Sequence, residues 1–237
     1  MKGCSGVIHV ASPNPFSPTM KQLDIIYPAV EGMINVLQAA LDCGVQKVVI
    51  TSCICALRGA EYSQNYNEEN WPDPNKMTPI ERSKLLAERT AWHFYKENNS
   101  KIGITSILPG FLIGPSLSRQ YNKSSARVIC DIANGKVSRL MKIHLSSCDV
   151  RDAAEAHIKA LWSKKTNGKR YVCVENSHWL REIVQEINEK FSPTPDNVDS
   201  VLFKPLNEVS KIELLLNVII DKNFRTLMPF YNKEVYF

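Results

Sequence analysis

Apolar side chains recur along this chain in two alternating rhythms. A short β-rich run, GVIHVA over residues 6–11, ends in the turn cluster Ser12-Pro13-Asn14-Pro15. Ile26, Val30, Ile34, Leu37 and Leu41 then fall at helical spacing over residues 24–43. Gly44 follows, where a left-handed C-cap belongs. The next run, QKVVITS over residues 46–52, is almost continuously apolar, as in a parallel strand covered on both faces. A polar loop holding Pro72 and Pro74 leads into a helical pattern over residues 78–98. IGITSILP over residues 102–109 is a third strand, followed by a helix over residues 124–134. A helix over 152–162, a strand over 170–174 and a helix over 179–191 continue the alternation.

Strand–helix–strand alternation at this spacing predicts βαβ units and an α/β fold with a parallel sheet and helices on both faces. The chain shows no internal repeat. After Phe191 the pattern loosens around Pro193, Pro195 and Pro205, with one more helical stretch over residues 208–218. The tail aromatics Phe224, Phe230, Tyr231, Tyr236 and Phe237 read either as a partner-facing patch or as packing on their own domain. We expect two regions, residues 1–118 and residues 119–237.

The net charge of +5 is spread along the chain, and nothing in it demands nucleic acid. Its densest basic cluster, Lys164, Lys165, Lys169 and Arg170, brackets Asn167-Gly168 and reads as an exposed, solvated turn, with a phosphate-binding patch as the alternative. The seven cysteines have no paired C-x-x-C spacing, so we expect reduced thiols and no metal site. No run reaches the roughly 18 apolar residues that span a bilayer. The expectation is a soluble, intracellular protein without a membrane span.

Read in order, GVIHVASP, EGMINVLQAALDCGVQKVVITS, SKLLAERTAW, ILPGFLIGP, DVRDAAEAHIKAL and GKRYVCVE resemble one family over residues 3–192. They are similar to the extended short-chain dehydrogenase/reductases of the dihydroflavonol reductase, cinnamoyl-CoA reductase and aldehyde reductase group. The resemblance implies a partial Rossmann-type sheet plus a small C-terminal substrate-type region. It also implies reduction of aldehydes or ketones with NADPH or NADH. In such enzymes a tyrosine protonates the developing alkoxide, a lysine holds the nicotinamide ribose, and a serine hydrogen-bonds the carbonyl.

The same resemblance exposes departures. The tyrosine-x-x-x-lysine pair matches Ile80 and Lys84, so hydrocarbon stands where the acid belongs. The serine slot, after Thr51-Ser52, holds Cys53, a weak hydrogen-bond donor. No glycine-rich phosphate-binding turn occurs in the chain, and the resemblance implies that two βαβ-sized pieces are missing upstream of Met1. Ala11 and Ser12 match the adenosine-side loop; Pro109 and Gly110 match the turn beside the nicotinamide. Each also has a plainer reading: Lys84 as a solvated helix lysine, Cys53 as a buried inert thiol, the turns as strand ends. Cys53 and Cys55 as a metal pair lack further ligands. His9 and His157 read as structural, and Asp149, Arg151 and Asp152 as groups that cap the helix after them.

Together these departures predict a degenerate, non-catalytic member, kept as a structural or accessory subunit of a larger assembly. No cofactor is then expected for this chain alone, with NADP or NAD bound if the missing half is supplied. Another protein chain is expected along the sheet edge that the missing half would leave open. The alternative is an NAD(P)H-dependent carbonyl reductase whose cofactor-binding segment lies outside this chain.

Overall fold

The computed structural model describes residues 1–13, 21–58, 66–114, 125–133 and 142–191. The expected helix at 208–218 and the tail aromatics lie outside these residues. The chain divides into two compact units. The first holds Met1–Pro109 and Ala153–Cys173, the second Gly110–Asp152 and the residues from Val174 onward. A single cut at 118/119 misses this organisation, because the chain returns to the first unit after visiting the second.

In the first unit four strands form a wholly parallel sheet: β1 (Gly6–His9), β2 (Lys47–Thr51), β3 (Gly103–Pro109) and β6 (Lys169–Cys173), in the order β1-β2-β3-β6. The helices between them are α1 (Gln22–Asp42), the single turn α2 (Cys55–Arg58) and α3 (Pro79–Glu97). Helix α5 (Val150–Trp162) precedes β6. Alternation along β2 shows why that strand is apolar throughout. Val48 and Ile50 pack with α1 and α3, while Val49 packs with Ala160 of α5 on the opposite face.

The buried stripe of α1 is Ile25, Ala29, Met33, Leu37 and Ala40. Of the five positions expected from spacing only Leu37 is fully inside, and Ile34 is exposed. The stripe is turned by about one residue because small side chains mark the contact. Ala29 and Ala40 share one core with Ala87 and Ala91 of α3, which lets the two helices approach closely. Gly44 takes φ +70 after the helix, as expected of a left-handed C′ residue. Thr78 and Glu81 form a reciprocal capping box at the start of α3, with Pro79 in the first turn. That cap fixes where Ile80 and Lys84 stand.

The second unit carries a sheet that periodicity did not reveal: β4 (Phe111–Ile113), β5 (His144–Asp149) and β7 (Asn176–Trp179), in the order β4-β5-β7. Its last pairing, β5 with β7, is antiparallel. Helices α4 (Ser125–Ala133) and α6 (Leu180–Phe191) belong to it. The strands were missed because β4 is only three residues long and the other two, HLSSCD and NSHW, offer no apolar run. Asp149 caps the start of α5 as expected, accepting the Arg151 backbone N–H at 2.7 Å and its guanidinium at 2.6 Å. Gly110 must be glycine here, since a Cβ would come within 2.2 Å of the Ser146 carbonyl oxygen. Among the described residues no helix is long and apolar enough to cross a membrane.

Candidate active site

Parallel strands end on the same side of their sheet, and in open α/β sheets ligands bind beyond those carboxyl ends. In the first unit that place is a cleft of about 310 Å³, open solvent included. His9, Ala11 and Ser12 line it from the end of β1, Thr51 and Ser52 from the end of β2, and Lys84 and Ala87 from α3. The structure thus brings Ala11, Ser12 and Lys84 together across more than seventy residues of sequence.

Lys84 is half-buried rather than solvated. Burial pulls its pKa below the usual lysine range, and the nearby thiols Cys53 and Cys55 pull the other way. His9 feels the same surroundings: burial, then the Lys84 charge, lowers its pKa and favours the neutral ring. It therefore belongs to the cleft, beyond the structural role expected of it. Thr51 donates its hydroxyl proton to His157 Nε2 at 2.6 Å, because His157 Nδ1–H is committed to the Ala153 carbonyl at 2.6 Å. That bond fixes the orientation of the Thr51 hydroxyl at the cleft wall.

Cys53 follows directly after Ser52. It is partly exposed, and the Cys55 backbone N–H points at its sulfur from 3.5 Å. The Cys55 thiol donates a further hydrogen bond, which is the main reason the Cys53 pKa falls to about 7; burial opposes the shift, and Lys84 and Arg58 assist it. Cys55 pays with a thiol pushed far up, first by that hydrogen bond and then by burial.

The remaining predicted residues stand apart from the cleft lining. Ile80 is 43% exposed, and its backbone carbonyl accepts the Ser83 hydroxyl at 2.7 Å. Pro109 ends β3 and accepts the Ile54 N–H at 3.0 Å, which ties it to the loop carrying Cys53. Gly110 belongs to the second unit. Among the described residues no group of three or more His, Cys, Asp or Glu could hold a metal.

One part of the site's support was not legible beforehand. Glu88, one turn beyond Lys84, accepts Ser52 Oγ–H at 2.6 Å and the Arg170 Nε–H at 2.8 Å. Arg170 also donates to the Glu68 and Asn70 carbonyls at 2.8 Å, and its guanidinium lies 3.7 Å from the centre of the Trp71 ring. The basic turn at 164–170 is therefore not wholly solvated, since Arg170 is 9% exposed. The one sequence signal was an acid inside an apolar helix face, and its nearest cation by spacing was Lys84, the wrong partner.

Known proteins are similar to this chain in sequence and fold. The model of the NAD dependent epimerase/dehydratase family matches residues 1–173. Anthocyanidin reductase of Arabidopsis thaliana is 32% identical over 244 residues, covering 94% of this chain and 69% of its own length. A bifunctional dihydroflavonol 4-reductase/flavanone 4-reductase of Pyrus communis is 30% identical over 234 residues, covering 88% of this chain and 65% of its own length. NADPH-dependent methylglyoxal reductase GRE2 of Saccharomyces cerevisiae is 28% identical, covering 81% of this chain and 62% of its own length. The chain thus spans about two thirds of these relatives or somewhat less. Among solved structures, Gre2 of Candida albicans in complex with NADPH superimposes with a TM-score of 0.70 at 28% identity, over 90% of this chain and 71% of that one. These matches agree with the ordered motifs, and the chain belongs to the NAD dependent epimerase/dehydratase family.

Proposed function

We propose that this chain forms the carbonyl-facing part of an NAD(P)H-dependent aldehyde or ketone oxidoreductase of the dihydroflavonol/cinnamoyl-CoA reductase type. The observation that carries this reading is Lys84, a half-buried cation that shares one cleft with Ala11, Ser12, Thr51 and Ser52. Burial lowers its pKa, and among the described residues the groups that oppose this lowering are the Cys53 and Cys55 thiols. The Lys84 N–H donors suit an incoming hydroxyl or oxyanion.

The residues fit the nicotinamide-ribose side of the cofactor: Lys84 would donate to ribose hydroxyls, with Ala11 and Ser12 against the adenosine side. They do not fit the pyrophosphate, because the sequence holds no glycine-rich turn. That grip would come from a preceding segment or a partner chain, paired along β1, which ends the sheet among the described residues. When bound, the cofactor supplies the hydride. The chain's own part is to hold the carbonyl and deliver a proton. Ile80 has none to give. Burial makes the Lys84 ammonium a stronger acid than an ordinary lysine, so it takes the tyrosine's task at reduced efficiency.

The second reading, a non-catalytic accessory subunit, is favoured by Ile80 itself. Titration with NADPH of the chain joined to a preceding glycine-rich nucleotide-binding segment, followed by tryptophan fluorescence, separates the two. The reductase reading expects saturable binding that weakens about tenfold or more in Lys84→Met, a loss of about 1.4 kcal/mol. No saturable binding to either protein favours the accessory subunit.

A further inference from the structure

We propose that Glu88 sets the hydrogen-bond polarity of Ser52, so that the cleft takes a neutral hydroxyl-bearing ligand, a cis-diol, and turns anions away. The inference rests on the reading of this cleft as the ribose side of a cofactor site; it adds the group opposite Lys84 and the residue that positions it. Ser52 continues β2, its N–H donating to the Ile107 carbonyl at 2.8 Å. Alternation along the strand puts Ser52 on the face of Ile50, toward α1 and α3, and the apolar lining from Ala29, Met33 and Ala87 belongs to that face. A serine hydroxyl has one hydrogen to give. Here it goes to Glu88 Oε2 at 2.6 Å, and a carboxylate oxygen only accepts. Glu88 cannot turn away, because Arg170 and Trp92 donate to it as well and it is 1% exposed. The Ser52 oxygen therefore offers the cleft lone pairs alone, while Lys84 offers it N–H donors alone.

These two demands define the ligand. A phosphate or carboxylate accepts only; it would satisfy Lys84 and set its other oxygens against the Ser52 lone pairs. An ammonium would do the reverse. A hydroxyl gives one hydrogen and takes others, so it satisfies both, and two neighbouring hydroxyls can do so from adjacent carbons. The group left unmatched is what rejects the wrong ligand. Glu88→Gln inverts the pattern. The amide oxygen keeps Arg170 and Trp92, the amide N–H turns to the Ser52 oxygen, and the Ser52 hydrogen is released to the cleft.

The isotope-labelled full chain, without cofactor, is titrated with methyl ribofuranoside, a neutral cis-diol, and separately with inorganic phosphate, and the NMR shifts of the Ser52, Lys84 and Ala11 amides are followed. Wild type should bind the diol roughly three- to tenfold more tightly than phosphate. Ser52→Ala should weaken the diol by about the same factor without weakening phosphate, and Glu88→Gln should reverse the preference. A Ser52–Glu88 bond that only braced the fold would lower stability and leave the diol-to-phosphate ratio unmoved. The proposal is overturned if the wild-type cleft prefers phosphate or answers neither probe. It is equally overturned if Ser52→Ala, which leaves Glu88 and Arg170 paired, binds the diol as tightly as wild type. No cofactor or turnover enters the measurement, so the reductase reading stands or falls separately, on NADPH binding and Lys84.

Discussion

Glu88 and Lys84 stand one helical turn apart on α3, and the protein treats their charges in opposite ways. Glu88 is 1% exposed and saturated: Ser52, Trp92 and Arg170 all donate to it, and Arg170 in turn reaches the Glu68, Asn70 and Ala56 carbonyls. The network joins β2, α3, β6 and the polar loop before α3. Lys84 faces the cleft, half-buried, with the Cys53 and Cys55 thiols as the groups that oppose the lowering of its pKa. One charge is closed off by its own fold; the other is desolvated and left facing a space. The first arrangement holds the loop and strand ends in place. The second is suited to meeting something that arrives.

The comparison can be broken from its closed side first. Arg170→Ala leaves Glu88 buried without its counter-ion and should cost about 3–5 kcal/mol of stability, read as a large drop in the urea midpoint. Replacing both partners by apolar residues of similar volume should recover much of that loss. A cost under about 1 kcal/mol for the single variant would mean the pair is not the closure described.

A smaller effect is expected in the second unit, where Glu175 has like-charged neighbours. Burial first, then Asp152 and Asp149, raises its pKa to about 7 from 4.5. The folded state then holds more protons than the unfolded chain between those two values, so wild-type stability should fall as pH rises through that window. Glu175→Gln should flatten this slope, gaining about 1 kcal/mol at most at pH 8 once solvent screening is allowed for. Parallel pH–stability curves for the two proteins would remove this account of Glu175.

The smallest change should come from the open side. Lys84→Met relieves a desolvated ammonium, so stability near pH 7 should stay within about 0.5 kcal/mol of wild type. Because the folded pKa lies below the unfolded one, the wild type should gain stability as pH approaches 10.5 from below, and the variant should not. A large loss at neutral pH would make Lys84 a structural residue like Glu88.

Much of this frame could be read from residues alone, and the limits have physical causes. The first unit's strands announced themselves because both faces of each are covered, which forces near-continuous apolar runs such as KVVIT and GITSILP. Spacing also put Ile80 and Lys84 on one helix, and order along the chain suggested that Ala11, Ser12 and Lys84 share a site. Long-range pairing was not readable: Arg170 looked like part of a solvated basic turn because its partner lies 82 residues away. The state of Cys53 was also hidden, since it depends on where an N–H, a second thiol and two cations point. Ile34 shows the same limit on a helix, where the packing of small alanines rather than the hydrophobic count decided the buried stripe.

The central claim is that Lys84 makes this cleft a carbonyl site that, once the pyrophosphate grip is supplied, lacks only an efficient acid. Aldehyde-dependent NADPH oxidation by wild type, Ile80→Tyr and Lys84→Met, each joined to the same preceding glycine-rich segment and measured side by side, tests it most directly. The account predicts slow turnover by wild type, a gain of about 10²- to 10⁴-fold when the phenol is restored at position 80, and none above background without Lys84. Ile80→Tyr no faster than wild type, or Lys84→Met as fast as either, would contradict it.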